Sequence, residues 1–135
     1  MMEWDINWVA VIVATIAHQA LGALWYAVLF RDVWLREMGM NPEEIENQSP
    51  GGEMLYGAVA SFLSVTSLAL ILANVGNPEI GDGILWGAVA GIGFVTAATV
   101  MNGVYEQKKP IVTAIFGGYY TLGLMIAGAI LGAWN

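Results

Sequence analysis

Four stretches without a single Asp, Glu, Lys or Arg, at 6–30, 54–78, 83–105 and 110–135, constrain this chain more than any other feature. A helix crossing a hydrocarbon core about 30 Å thick needs roughly 20 predominantly apolar residues, and each stretch is long enough. A helix at the surface of a water-soluble protein needs a polar face, and none of the four supplies a charged one. The whole chain is 58% hydrophobic and 11% charged, where a soluble domain carries about a quarter charged residues. Strands fail in the same solvent, because an open sheet edge in lipid leaves backbone groups unpaired. The expected fold class is therefore all-α: an integral membrane bundle of four transmembrane helices with short loops, forming one domain over 1–135.

Turn residues and charges divide the chain. The first helix is expected at about 8–30. It continues into a short amphipathic stretch at 31–40, where Val33, Trp34, Leu35 and Met38 are apolar among charged neighbours, a pattern suited to the membrane interface. Asn41-Pro42 breaks the chain, and an acidic linker at 41–52 ends in Ser49-Pro50-Gly51-Gly52. The second helix is expected at about 53–74, stopped by Gly76-Asn77-Pro78, with Glu53 at its favourable N-terminal dipole. The third is expected at about 83–105 and the fourth at about 110–134, joined by a tight polar loop at 106–109. The first stretch is unlike a cleavable signal, since Glu3 and Asp5 precede it and it is longer than a signal's apolar core. Leu55-Tyr56-Gly57-Ala58-Val59-Ala60 resembles Leu85-Trp86-Gly87-Ala88-Val89-Ala90, but so short a match among small and apolar residues reads as composition.

The four basic residues, Arg31, Arg36, Lys108 and Lys109, all fall in the first and third loops. The positive-inside rule then places loops 31–52 and 106–109 in the cytoplasm and both termini outside. Trp4, Trp8, Trp86 and Trp134 fall at the expected outer surface, with Trp34, Tyr56 and Tyr105 near the inner one, as an aromatic belt requires.

Helices in lipid gain little from hydrophobic exclusion, so small residues that admit close backbone approach guide their association. Gly87 and Gly91 in the third helix, and Gly128 and Gly132 in the fourth, have four-residue spacing; Gly22 and Gly57 are further packing candidates. These faces serve either to pack the bundle internally or to join copies into a homo-oligomer, and self-association is expected.

Polar residues at mid-membrane are the candidates for activity, because burying them in lipid is costly. His18, the only histidine, and Gln19 lie near the middle of the first helix. Ser64 in the second helix and Tyr119 and Tyr120 in the fourth lie at similar depth, beside Ser61, Thr66 and Ser67. Two readings compete for this cluster. It is either hydrogen-bonded glue between helices or the lining of a water-filled or ligand-binding cavity in which His18 carries a proton. No acidic residue lies in any of the four stretches to act as a coupling site.

Several classes of chemistry are not expected. The chain has no cysteine, and its single histidine cannot build a multi-histidine metal site within one copy. Neither a Ser/His/Asp arrangement nor paired intramembrane carboxylates appear, so an enzyme is not expected, and no cofactor is implied. A net charge of −7 argues against nucleic acid. Asn102 and Glu106, flanking the third loop, are expected to cap a helix or to pair with Lys108 or Lys109.

Asn7-Trp8, then Leu21-Gly22-Ala23-Leu24-Trp25-Tyr26, Leu29-Phe30 and Trp34 resemble the DUF1761 family of small four-helix membrane proteins. Asn102, Glu106, Pro110, Gly118-Tyr119 and Trp134 fit the same family. The resemblance covers nearly the whole chain and implies fold and membrane location; the family's function is unassigned, so it implies no catalytic or binding residues. Small multidrug exporters are similar in length but depend on a glutamate in the first helix, which is missing here. Fluoride channels of similar size carry a glycine-rich, arginine-containing segment that is not evident. The leading functional expectation is a homo-oligomeric channel or transporter using the mid-membrane polar cluster. The alternatives are a non-catalytic scaffold that binds a partner membrane protein, and a protein that binds lipid or another apolar ligand.

Overall fold

The structure, a computed structural model, describes residues 5–39 and 51–134, the side chains of 51–53 excepted. All regular structure among the described residues is helical. Helix α1 spans Trp8–Leu29, α2 Arg31–Met38, α3 Gly51–Ala73, α4 Ile80–Tyr105 and α5 Pro110–Ala133. Four of them, α1, α3, α4 and α5, are long and apolar enough to cross a membrane. Trp4, the Asn41-Pro42 break and the acidic linker up to Pro50 lie outside the described residues, and so does the side chain of Glu53.

Local chemistry sets the helix ends. Asn7 has extended backbone, and its side-chain oxygen accepts the Ala10 N–H at 3.2 Å, capping α1. Helix α3 begins at Gly51, taking in the last two residues of the expected linker. Helix α4 begins at Ile80 rather than 83, because the Asp82 carboxylate accepts the Glu79 backbone N–H at 2.8 Å and sits in the first turn. An acid is favourable at that end of a helix, so a boundary drawn at the last charge falls three residues late. Gln107, at φ 57°, closes α4 with Lys108 N–H donating to the Gly103 carbonyl at 2.9 Å. Pro110 then opens α5 in its first turn, where its missing N–H costs nothing.

Helix α5 is the hub, running against α1 on one flank and α4 on the other, while α3 packs on both α1 and α5. The Asn7 amide donates to the Trp134 carbonyl at 3.0 Å, and Gly132 abuts the backbone of Glu79 and Ile80. These contacts bring both described ends of the chain and the α3–α4 turn to one end of the bundle. At the other, basic end, Lys109 Nζ pairs with Glu37 at 3.1 Å and Lys108 with Glu106 at 3.0 Å, the latter one of the two pairings expected for Glu106.

The two halves of the bundle are packed differently. Toward the terminal end, Ala10, Val11, Ala14, Val65, Leu68, Leu72, Leu124, Ala127 and Leu131 form a solid apolar core. Ile16, Val28, Leu63, Phe94 and Val104 point outward, as lipid-facing residues do. Along the α4–α5 seam, the glycines allow backbone to approach backbone. A Cβ at Gly83 would meet the Gly128 carbonyl, and one at Gly87 the Leu124 carbonyl. Toward the basic end the helices open. Both α1 and α4 widen into π-helical turns there, at Trp25–Leu29 and Gly91–Thr96, features often found beside functional sites. Helix α3 packs on the first half of α4 and not comparably on its second half.

Candidate functional site

The five polar residues singled out in the sequence come together where the solid half meets the open half. His18 is fully buried. Its Nδ1 lies 2.9 Å from Ser61 Oγ and 3.0 Å from the Tyr119 hydroxyl, which also reaches the His18 carbonyl at 3.3 Å. Ser61 donates to Gln19 Oε1 at 3.1 Å. With its proton used there, the Ser61 oxygen accepts from His18 Nδ1–H, and the Tyr119 hydroxyl donates to the His18 carbonyl. That assignment leaves Nε2 as the unprotonated nitrogen, buried without a hydrogen-bond partner among the described residues. Ser64 bonds the Tyr120 hydroxyl at 2.7 Å as a separate pair, joined to the first only through the Tyr120 ring, which stands edge-on to His18 at 4.7 Å.

Ser61 is therefore the hub of the node, a role not read from the sequence, where it is one of four hydroxyl residues in the second helix. Its signal was its spacing: Ser61 and Ser64 share a face three residues apart. The candidate glycines also find their neighbours. Gly22 faces the Tyr119 ring and Gly57 the Gln19 amide; Gly87, Gly91, Gly128 and Gly132 lie in or beside the α4–α5 seam. Gly123 faces the histidine: a Cβ there would stand 2.9 Å from Nε2. The look-alike segments have no common packing role, since Gly57 meets a side chain and Gly87 a backbone.

Two cavities open from this level toward the basic end. One, of about 440 Å³, lies between α3 and α5 and is lined by Gln19, Gly57, Ser61, Ser64, Val95, Phe116 and Tyr120. The second, of about 540 Å³, lies under α2, lined by Tyr26, Trp34, Met38, Thr99, Asn102, Lys108, Thr113 and Phe116. Phe116 lines both, so the two are adjacent chambers that share its ring as a wall and together make up the crevice along α5. Each is in the size range of small-molecule sites, roughly 300–1,000 Å³.

The chambers differ in chemistry. In the first, the polar groups largely bond one another, and the walls are otherwise apolar. In the second, the Tyr26 and Thr113 hydroxyls and the Asn102 amide make no hydrogen bond among the described residues. Helix α2 forms one wall through Trp34 and Met38, and Leu35 is 4% exposed beneath it. The Lys109 ammonium hydrogen-bonded to Glu37, with Arg36 beside the other carboxylate oxygen, holds the Glu37 carboxyl below its ordinary value. Trp25 anchors the wide turn of α1 by donating its indole N–H to the Ile115 carbonyl at 2.9 Å. Across α5, Thr96 lies 3.2 Å from Thr121 and donates to the Gly117 carbonyl at 3.4 Å. No group of His, Asp and Glu among the described residues is placed to hold a metal ion.

No curated protein and no solved structure proved similar to the chain. Residues 9–132 match the family described as a protein of unknown function, DUF1761. With that match running from the second residue of α1 almost to the end of α5, and with four helices of membrane-spanning length behind it, the chain belongs to the DUF1761 family.

Proposed function

We propose that this is a non-catalytic membrane protein that binds a lipid-like or other apolar ligand in the crevice along α5. The observation that carries this reading is the crevice's single ending. Thr113, Phe116 and Tyr120 line it, and the same stripe of α5 continues as Leu124, Ala127 and Leu131 in the solid core. A channel needs a polar path through both halves, and the terminal half supplies apolar side chains packed on one another instead. A ligand reaching the crevice comes from the membrane or from the basic end. By the positive-inside rule that end faces the cytoplasm.

The glycine faces that suggested self-association are occupied within the chain, since Gly87, Gly91, Gly128 and Gly132 meet backbone across the α4–α5 seam. Any homo-oligomer must use other surfaces, and the binding reading does not require one. The test is saturable occupancy. The protein in lipid nanodiscs is photolabelled with a diazirine-bearing aliphatic probe, with and without excess unlabelled analogue. Competable labelling confined to crevice residues is expected. Labelling spread evenly over Ile16, Leu63 and Phe94 and insensitive to competitor counts against a binding site.

A further inference from the structure

We propose that the ligand is a single-chain amphiphile with an uncharged hydrogen-bonding head, held head-first in the chamber under α2, its tail passing Phe116 into the mid-membrane chamber. The inference rests on the binding reading above and adds the ligand's chemistry and direction.

Three uncharged polar groups fix the head. The Tyr26 hydroxyl, the Asn102 amide and the Thr113 hydroxyl share the chamber under α2 with aromatic walls from Trp34 and Phe116, and none has a hydrogen-bond partner among the described residues. The chamber is half open, with Thr113 buried, Tyr26 half-buried and Asn102 exposed at its rim, and polar groups beside apolar walls at a membrane are costly unless they are partnered. A head that both donates and accepts, such as an alcohol, a carbonyl or an amide, satisfies them. A charged head fits worse. Lys108, the one cation lining this chamber among the described residues, is paired with Glu106 at 3.0 Å, and Glu37 and Lys109 close on each other.

The tail's direction follows from the other chamber. Its hydroxyls are already used, with Ser64 on Tyr120 at 2.7 Å and Ser61 on Gln19 at 3.1 Å. What remains on its walls is mostly apolar, with Gly57, Ala60, Val95 and the Phe116, Tyr119 and Tyr120 rings, and the Gln19 amide nitrogen as the one polar group beside them that makes no hydrogen bond among the described residues. This chamber lies at mid-bilayer depth, where an acyl chain from a head at the basic end would reach. Phe116 stands between the two chambers, its ring 5.5 Å from that of Tyr120, and so sets how far a chain can extend.

The test uses the full chain in nanodiscs and two photoreactive fatty alcohols, one with the diazirine beside the hydroxyl and one with it at the chain end. Labelled residues are read by peptide mass spectrometry. Competable labelling is expected around Asn102 and Thr113 for the first probe and around Ala60 and Val95 for the second. A Phe116→Trp variant should lose the second labelling and keep the first, and Phe116→Leu should keep both. A trimethylammonium or a carboxylate in place of the hydroxyl should abolish competition. Competable labelling with the two positions reversed, or unchanged by Phe116→Trp, overturns the proposed orientation while leaving a binding site in place. Labelling that no analogue displaces, spread over the outer faces as bulk lipid would give, overturns the binding reading and this inference with it.

Discussion

At the residue scale the node around His18 makes the sharpest demands. Gly123 leaves room for the imidazole and nothing more, and Ser61 and Tyr119 hold the ring so that it cannot yield. Gly123→Ala is expected to destabilise the fold by about 1–3 kcal/mol, as overpacking does, read as a lower unfolding midpoint in a denaturing detergent. Ser61→Ala removes the donor to Gln19 Oε1 and leaves Tyr119 as the one hydroxyl beside His18 Nδ1 among the described residues, and losing buried polar partners costs about 1–3 kcal/mol. Ser64→Ala, which among the described residues removes only the hydrogen bond to Tyr120, should cost less in the same titration. If the two serine variants prove equal, the hub assignment to Ser61 is wrong. The histidine itself was legible in the sequence as the chain's single histidine, set within a charge-free stretch, and so was its depth. Its orientation was not, because a periodicity argument ranks hydroxyl residues by position and cannot tell which of four will meet a ring from another helix.

Among the elements, the α4–α5 seam and α2 carry separate predictions. Gly87→Ala drives a Cβ into the Leu124 carbonyl, whereas Gly93 has nothing within 4 Å of such an atom. Gly87→Ala should therefore lower stability while Gly93→Ala leaves it unchanged or raised, and crosslinking should show the same oligomeric state for both. A change of oligomeric state specific to Gly87→Ala would return the seam glycines to an intermolecular role. Helix α2 is held to α5's start by the Glu37–Lys109 pair. Because the Glu37 carboxyl is held below its ordinary value, its contribution is present above the usual carboxylate pKa and is lost as pH falls through the lowered one. The reactivity of a cysteine at Leu35, taken relative to that of a fully exposed reference cysteine at the same pH because only the thiolate reacts, should rise in that acid range, and Glu37→Gln should raise it at neutral pH. The effect is modest, since an exposed ion pair is weak. The four spans were legible because their lengths and missing charges are one-dimensional facts. Where the last charge belongs to the helix, as Asp82 does, that reading stops short. The wide turns at Trp25 and Gly91 left no mark in hydropathy, because they change how a helix winds and not what it is made of.

Over the whole molecule, the division into a solid half and an open half decides between binding and passage. Composition could not reveal it: both halves are equally apolar in sequence, and they differ in whether α3 and α4 stay together or part. Since the chain has no cysteine, sidedness can be mapped cleanly. Cysteines placed at Asn77 and at Gln107 should react with a membrane-impermeant reagent from opposite sides, Gln107 from the cytoplasm. Both reacting from one side would break the up-and-down arrangement. The most direct test of the one-ended crevice is a cysteine scan down a single stripe of α5, through Thr113, Phe116, Tyr120, Leu124, Ala127 and Leu131, with a small hydrophilic thiol reagent supplied to both faces. The first three positions should react and Leu124 and Ala127 should not, while Leu131, which lines a small recess at the terminal end, decides nothing by itself. Reactivity continuing through Leu124 and Ala127 to Leu131 would reveal a path across the bundle and contradict the binding account.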